Sequence, residues 1–358
     1  MRRITSRAAA LLCGVLCLCF VLSSCGKTPD TVYYVDESGK TRASMNENMF
    51  SYHLSERKTY YLYSIGASSD AASLWSMATD DGRTVGERAM ESIVENAKKM
   101  VASAYVYDTA LATAGSDLSG TDAQLQKQVD DLIASLQSSK GTKSAFASYL
   151  AAFGVDEKNL RKYYEMYYKM AAVQAAIEVT EEEKQAYFTE NYAVVKHILV
   201  NTSFKVKEDG SKVSLSDEEK AQKEKQAAAI EARLSSGESF EDLWEEFKDA
   251  DAAGAAKYPH GYFVCENSGF TPEFETAALD MRDGEIRTVT STYGIHIMKK
   301  YPTDASLYNA YSDVEADLQN AVSDAKFREM IAPYTAMVRT NDAVLAQYSV
   351  TTAPVISG

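Results

Sequence analysis

Cysteine is scarce in this 358-residue chain, and the few cysteines are unevenly placed. Four of the five lie within the first 25 residues, at Cys13, Cys17, Cys19 and Cys25, which leaves Cys265 alone in the remainder. A single thiol can form neither an internal disulfide nor a cysteine-based metal site. The sequence therefore excludes a disulfide framework within the chain beyond residue 25.

Positive charge is also in short supply. The chain has 37 lysines and arginines against 51 aspartates and glutamates, which gives a net charge of −14 at neutral pH. Such an acidic surface repels the phosphates of nucleic acids and gains little from anionic lipid headgroups. Nucleic acid is therefore not expected as a partner, and neither is a broad electrostatic attachment to a membrane surface.

The apolar run near the N-terminus, residues 8–22, is too short to favour a membrane-spanning helix. Three arginines precede it and Leu22-Ser23-Ser24-Cys25 ends it, a pattern typical of a secretory signal. The ending resembles a bacterial lipobox, in which the cysteine is diacylated and becomes the first mature residue. On that interpretation residues 1–25 are a lipoprotein signal peptide, and Cys25 carries a lipid anchor that holds the protein outside the cytoplasm at the cell membrane. The alternative is an ordinary secretory signal with an incidental cysteine.

The length of the chain favours two domains. Residues 26–43 are polar and turn-rich, which predicts a tether. Residues 44–191 are predicted as helices, most clearly at 87–114, where apolar residues recur three and four positions apart. This part contains one histidine, His53, without a metal-ligand partner at helical spacing, and no catalytic constellation.

The hydrophobic period changes in residues 192–302. Buried-strand patterns at 193–200, 261–264 and 294–300 alternate with capped helices, which predicts a compact α+β domain. Residues 303–358 become helical again, with one apolar stripe that needs a partner surface. We therefore predict that the α+β domain is inserted into an all-α domain built from the N- and C-terminal segments.

Five short motifs in the α+β segment occur in the order and spacing of parvulin-type peptidyl-prolyl isomerases. They are His197-Ile-Leu-Val200, Gly261-Tyr-Phe263, Pro272-Glu-Phe-Glu275, Gly284-Glu-Ile286 and Tyr293-Gly-Ile-His-Ile297. The helical segments before them resemble the chaperone domain of PrsA- and SurA-type foldases. Together with the lipobox, the chain resembles PrsA-like foldase lipoproteins. The resemblance implies a four-stranded antiparallel sheet with helices for the α+β domain.

The resemblance also assigns site residues. It implies that His197 and His296 face each other on the central strands as a hydrogen-bonded pair at the floor of the active site. A histidine in a buried strand is, on its own, more often a satisfied core residue, so the alternative is a pair that mainly holds the sheet together. Tyr293 stands where some parvulins have serine, and Asp251 is the nearest carboxylate to the family's catalytic Cys or Asp, one residue out of register.

The proline pocket is the other part of the implied site. Phe274 matches the pocket phenylalanine of the family, Phe270 stands where methionine is usual, and Phe263 is expected to support them. The sequence before Gly261 departs from the family pattern, and the lysines after the first strand are mixed with acidic residues. That mixture is not a cationic phosphate site, so specificity for phosphoserine-proline is not expected.

The chemistry implied by the resemblance is conformational. Rotation about an X-Pro bond has a barrier of about 20 kcal/mol but breaks no covalent bond, so no nucleophile, metal or cofactor is required. We expect a membrane-anchored extracytoplasmic isomerase and foldase that acts on exported, proline-containing polypeptides. One alternative is a non-catalytic holdase chaperone whose degenerate parvulin domain only binds peptides, and another is a binding lipoprotein with no folding role. A homodimer is among the assemblies left open, because the sequence does not decide the oligomeric state.

Overall fold

The computed structural model describes residues 28–67, 70, 72–112, 121–207, 210–248 and 257–356. Cys25 and Asp251 therefore lie outside the described residues. The chain forms two compact units, one comprising the described residues up to Tyr168 and those from Met337, the other comprising Lys169–Ala336. The second unit is thus inserted into the sequence of the first. Within the described ranges, no helix is both long and apolar enough to cross a membrane.

Helices and strands alternate irregularly along the chain. In chain order they are β1 (Asp30–Val35), β2 (Thr41–Asn46), α1 (Glu47–Ser64), α2 (Ala72–Trp75), α3 (Val85–Ala112), α4 (Thr121–Ser139), α5 (Lys143–Ala151), α6 (Glu157–Ala175), α7 (Glu181–Asn191), β3 (Ala193–Asn201), β4 (Phe204–Val206), β5 (Lys212–Ser214), α8 (Asp217–Ser235), α9 (Phe240–Phe247), β6 (Tyr262–Val264), α10 (Pro272–Asp280), β7 (Ile286–Ser291), β8 (Gly294–Tyr301), α11 (Ser312–Thr335), β9 (Val338–Thr340) and α12 (Asp342–Leu345). A short 3-10 turn, Ala305–Leu307, precedes α11.

The first unit is mainly helical but also contains a three-stranded sheet, in the order β2-β1-β9, that the sequence did not predict. β1 and the first half of β2 occupy the segment expected to be a tether, and the first long helix starts at Glu47 rather than at Ser44. The tether interpretation was wrong for β1 because Val32 is fully buried and β1 finds a partner in β9, about 300 residues away. Asn46 caps α1 by accepting a hydrogen bond from the Met49 N–H.

His53 on α1 is fully buried in this unit. Its Nδ1 lies 3.2 Å from the Tyr163 hydroxyl, and its Nε2 lies 3.1 Å from the Ile93 carbonyl oxygen. Burial disfavours the charged imidazolium and lowers the pKa of His53 to about 4. Both ring nitrogens have partners within the core, so His53 is a satisfied core histidine.

The second unit is built on a four-stranded antiparallel sheet, in the order β6-β3-β8-β7, as the fold class predicted. The two long strands, β3 and β8, lie at the centre and pair over eight residues, from Val194 opposite Tyr301 to Asn201 opposite Gly294. Helix α10 packs on one face through Phe274, Ala277 and Ala278. Helices α8 and α9 cover the other face, where Ile198, Val200 and Ile297 point.

Two helices of this unit, α7 and α8, begin at side-chain caps. Thr180 and Ser216 form complete capping boxes with Glu183 and Glu219, which satisfy the first N–H groups of α7 and α8. β4 and β5 form a separate hairpin after β3. Gly210, in the connection between them, has a φ of 79°, a conformation that glycine adopts without strain.

Helix α11 packs on α7 and, with it, covers the β6 end of the sheet. Leu318 of α11 and Phe188 of α7 join Val194 and Phe263 in one buried cluster. Lys326 also donates hydrogen bonds to Glu183 and to the Glu178 carbonyl. The sequence pattern predicted that the helix after residue 303 belongs to the helical domain. That prediction was wrong for α11, which lies with α7 in the same compact unit as the sheet because their apolar faces are buried against it.

Candidate functional site

Two histidines face each other at the centre of the sheet. His197 on β3 and His296 on β8 point to the face that α10 covers, and their Nδ1 atoms are 3.1 Å apart. The rings are nearly parallel, with centroids 5.2 Å apart. The Nε2 of His296 lies 2.8 Å from the hydroxyl oxygen of Ser291 on β7. The predicted histidine pair is therefore present, and Ser291, which the sequence did not single out, extends it across a third strand.

Both imidazoles are neutral at ordinary pH. Removal from water lowers the pKa of His197 to about 3, with His296 adding to the effect, and burial lowers the pKa of His296 to about 4 against a small opposing contribution from Glu273. A hydrogen bond between two Nδ1 atoms needs one proton between them, and two protonated rings would bring two N–H groups together. The pair therefore works as a neutral hydrogen-bonded unit.

The proton positions have two self-consistent arrangements. In one, Ser291 donates to His296 Nε2, His296 donates from Nδ1 to His197, and His197 carries a proton on Nε2. In the other, His197 donates from Nδ1 to His296 Nδ1, and His296 donates from Nε2 to the Ser291 hydroxyl. Ser291 also accepts a hydrogen bond from the Tyr293 N–H at 3.1 Å, which leaves its own proton free for His296. The first arrangement leaves an N–H on His197 that has no acceptor among the described residues.

Three aromatic rings form a cluster beside the histidine pair, and two of them contact it directly. Phe274, at the start of α10, is buried and lies 5.1 Å from the His197 ring and 5.2 Å from the His296 ring, edge to face in both cases. Phe270 stacks on Phe274 at 5.1 Å. Tyr262 of β6 meets the His197 ring at 4.7 Å and Phe270 at 5.8 Å. These contacts make an apolar wall directly beside a polar pair.

Phe263 does not belong to this wall, although the sequence assigned it as support for the pocket. Side chains alternate along β6, so Phe263 points to the opposite face and packs against Phe188 at 5.0 Å and Tyr311 at 4.8 Å. Tyr262 occupies the position expected for Phe263. Because neighbouring residues of a strand point to opposite faces, an error of one position in assigning the face exchanges Phe263 with Tyr262.

Tyr293 lies at the edge of the site. It forms the turn between β7 and β8, its side chain is 47% exposed, and its ring is 6.5 Å from that of Phe204. Its backbone N–H, not its phenol, connects it to the histidine pair through Ser291. Gly294 follows with a φ of 141°, and a Cβ there would lie 2.3 Å from the Val200 carbonyl oxygen. Only glycine fits this close approach of the turn to β3.

Comparison with known proteins gives a family for this part of the chain. Residues 177–301 match the model of the PPIC-type PPIASE domain. The foldase protein PrsA of Halalkalibacterium halodurans is 31% identical over 154 residues, which cover 43% of this chain and 38% of that protein. The foldase protein PrsA of Bacillus subtilis is 30% identical over 109 residues, covering 30% of this chain and 35% of the relative. The match thus spans less than two fifths of either relative.

Among solved structures, the chain is similar to a peptidylprolyl isomerase (PrsA) from Bacillus cereus, at 20% identity and a TM-score of 0.29 over 76% of this chain and 90% of that one. PrsA from Bacillus subtilis is similar at 20% identity and a TM-score of 0.24, over 76% of this chain and 93% of that one. The matched family domain contains the histidine pair, Ser291 and all three aromatic rings.

Proposed function

Because residues 177–301 are a PPIC-type, or parvulin-type, peptidyl-prolyl isomerase domain in a PrsA-like chain, we propose that this protein is a peptidyl-prolyl cis-trans isomerase and foldase. The observation that supports this best is the histidine pair next to the aromatic wall, where Phe274 contacts both imidazoles. Such a site offers an apolar surface for a proline ring and polar atoms for the adjoining amide.

The apolar part of the site holds the substrate. The proline ring packs against Phe274, Phe270 and Tyr262, which excludes water from one side of the X-Pro bond. A planar amide is stabilised by resonance that water supports through hydrogen bonds to the carbonyl oxygen. A drier site weakens that support for the planar ground state. Each ~1.4 kcal/mol by which the twisted form is favoured raises the rate about tenfold.

The polar part acts on the twisted amide. As the X-Pro bond rotates, the proline nitrogen loses conjugation and regains a lone pair that accepts a hydrogen bond. The neutral His197 supplies a donor at Nε2 when Ser291 and His296 hold its Nδ1 as an acceptor. Asp251 remains a proposed further catalytic group, and Tyr293 a proposed residue of the site's edge. The proposed chemistry requires no metal or cofactor.

The location of the protein is part of the proposal. We propose that Cys25 carries a lipid anchor after removal of the residues before it, and that the folded units lie outside the cytoplasm at the cell membrane. The lipobox-like N-terminus supports this placement. The clients would then be newly exported, proline-containing polypeptides, and a homodimer remains among the proposed assemblies.

The isomerase activity is tested with the chain from Gly26 onwards. We expect a protease-coupled assay on a proline peptide to show cis-to-trans conversion faster than in buffer, with His53→Ala as a control that removes a buried histidine from the other unit. A wild-type rate equal to that in buffer would remove the enzyme assignment.

A second candidate function is supported by the surface of the first unit. Tyr63 is 84% exposed, Tyr60 is 60% exposed and Ile65 is 48% exposed, all at the C-terminal end of α1. Large apolar side chains grouped on a surface are typical of protein-binding sites. A non-catalytic holdase would use them to bind unfolded segments without turnover at the histidine pair.

One comparison separates the two candidates. The triple change Tyr60→Ser, Tyr63→Ser and Ile65→Ser is expected to reduce suppression of client aggregation while leaving peptide isomerisation unchanged. Phe274→Ala is expected to reduce peptide isomerisation while leaving suppression of client aggregation unchanged. Suppression that is unaffected by the triple change would argue against this surface as the holding site.

A further inference from the structure

A cavity of about 410 Å³ lies in the second unit, beside the candidate proline site. It is formed by residues of α7, the start of α11, and β6 with the segments on either side of it. Seven of its fifteen lining residues are aromatic, among them Tyr192, Tyr258 and Tyr311. The Tyr311 hydroxyl donates to the Gly261 carbonyl and accepts from the His260 N–H, which fixes the start of α11 against the segment that leads into β6.

The charge of this cavity is negative. Glu266, Asp313 and Asp317 line it, whereas no lysine, arginine or histidine is among its lining residues. None of these three carboxylates makes an ion pair with a cation in the described parts of the chain. The negative charge of Asp317 also adds to the effect of burial in raising the pKa of Tyr192 above its usual value. The lining therefore combines aromatic faces with carboxylates that have no ion-pair partner among the described residues.

The cavity shares two aromatic side chains with the candidate proline site. Tyr262 and Phe270 line the cavity and also contact the histidine pair or Phe274. A row of ring contacts leads inwards, from Tyr311 to Tyr258 at 5.7 Å and from Tyr258 to Tyr262 at 4.4 Å. An extended peptide whose proline lies against Phe274 would reach the cavity within about four residues, at roughly 3.5 Å per residue.

We propose that this cavity binds the cationic side chain of a lysine or arginine that lies near the isomerised proline in the client polypeptide. Aromatic faces attract cations through their quadrupole, and carboxylates at the same site add charge attraction. The chain itself gives an example, because the Lys257 ammonium lies 5.5 Å from the centroid of the Tyr258 ring. This inference rests on the proposed function and extends it, since it names a sequence preference of the isomerase.

The test compares matched peptides. Each peptide has one proline and carries either lysine or acetyl-lysine at one of the four positions before or after it, so that only the charge differs. We expect kcat/KM for the lysine peptide to be about five- to tenfold higher at one or two of these positions, a ratio that falls as salt is added. Equal values at all eight positions would overturn the proposal.

Two double variants test whether the cavity causes the preference for lysine peptides. Asp313→Asn combined with Asp317→Asn is expected to lower kcat/KM of the favoured lysine peptide to that of its acetyl-lysine counterpart. Asp80→Asn combined with Glu329→Gln removes the same number of negative charges from residues that do not line the cavity, and is expected to keep the preference. A lysine preference that survives the first pair of changes, in protein shown to be folded by circular dichroism, would overturn the assignment to this cavity.

A binding measurement keeps this test independent of turnover. If none of the peptides is isomerised faster than in buffer, the proposed activity fails, but fluorescence anisotropy of the labelled peptides still measures affinity. Tighter binding of the lysine peptide that is lost with Asp313→Asn and Asp317→Asn would then support the cavity assignment alone. Equal binding of lysine and acetyl-lysine peptides would overturn it.

Discussion

Each unit of this protein contains buried histidine with a strongly lowered pKa, but the described neighbours of these histidines differ between the two units. In the first unit, His53 has partners for both ring nitrogens, Tyr163 and the Ile93 carbonyl, and is fully buried. In the second, His197 and His296 share one hydrogen bond, and His197 Nε2 has no partner among the described residues. The pKa values of the three histidines are similar. The histidines differ in hydrogen bonding, because His197 has a ring nitrogen without a partner among the described residues and His53 does not.

This difference shows what a lowered histidine pKa does and does not indicate. Burial is the main cause of the lowered pKa of His53, with the charge of Arg57 adding to it, and both ring nitrogens of His53 have partners within the protein. The histidine pair differs because Phe270 and Tyr262 are only partly buried, so the aromatic wall next to it remains open to a ligand. A site is therefore better recognised by an unsatisfied polar atom beside an accessible apolar surface.

The largest effect is expected when two buried phenylalanines, one in each unit, are replaced by alanine and compared. Phe274→Ala and Phe50→Ala each remove a ring that is at most 2% exposed, so each should lower the free energy of unfolding by about 3–5 kcal/mol. Of these two variants, only Phe274→Ala should also abolish isomerase activity, because Phe274 contacts both rings of the histidine pair. Denaturant unfolding and the peptide assay below the unfolding midpoint check this. Equal activity in the two variants would contradict the role of Phe274.

The next largest effect is expected when His296 and His53 are each replaced by alanine and compared. His296→Ala leaves His197 Nδ1 without a partner and removes the hydrogen bond between Ser291 and His296, so it should lower the free energy of unfolding by about 2–3 kcal/mol. His53→Ala should have a similar cost, because the Tyr163 hydroxyl and the Ile93 carbonyl each lose one hydrogen bond in a buried site. We expect isomerisation to fall at least tenfold in the first variant and to stay at the wild-type rate in the second. An unchanged melting temperature in His296→Ala would contradict the paired arrangement.

Acid should destabilise both units. The folded-state pKa values of about 4 for His53 and His296 and about 3 for His197 lie below the usual value of 6.5, so the unfolded chain binds more protons as pH falls below 6.5. The stability is therefore complete above that pH and decreases towards pH 4. Between pH 7.5 and 5.5, each histidine should contribute a loss of about 1–2 kcal/mol.

Urea unfolding at the two pH values measures this loss. His53→Gln should reduce the pH dependence of the first unit, and His296→Gln should reduce that of the second. A pH dependence that is unchanged in both variants would mean that other groups cause the acid sensitivity.

The smallest effects lie at the edge of the site. Tyr293→Phe removes an exposed hydroxyl and should change the free energy of unfolding by less than about 0.5 kcal/mol. Its kcat/KM should change by less than about threefold, because the backbone and not the phenol connects Tyr293 to Ser291. Ser291→Ala, two residues away, should lower kcat/KM more than Tyr293→Phe does. The reverse order would assign a direct role to the phenol.

Much of the second unit could be predicted from the sequence because its signals are local. The strand patterns at 193–200 and 294–300 differ by one residue at most from β3 and β8, and the capping boxes at Thr180 and Ser216 start α7 and α8. The three-stranded sheet of the first unit could not be predicted in this way. Its strands are short, and β1 pairs with β9 across about 300 residues, so no local pattern indicates the pairing.

The prediction of the site was limited in the same way, because some of its contacts depend on strand pairing and not on local sequence patterns. The motif order indicated the two histidines and Phe274, but it misplaced Phe263, since alternation in the short strand β6 decides which ring faces the site. Ser291 was missed because it belongs to no motif and reaches His296 only through strand pairing. The acidic aromatic cavity could not be predicted either, since its lining comes from segments more than 100 residues apart.

The central claim is that the histidine pair, and not buried histidine in general, forms an isomerase site. The most direct test is the rate of cis-to-trans conversion of one proline peptide with wild-type protein, His296→Ala and His53→Ala, measured side by side at a temperature where all three are folded. We predict acceleration over buffer by the wild type and by His53→Ala, and at least tenfold less by His296→Ala. No acceleration by the wild type, or equal acceleration by all three proteins, would contradict it.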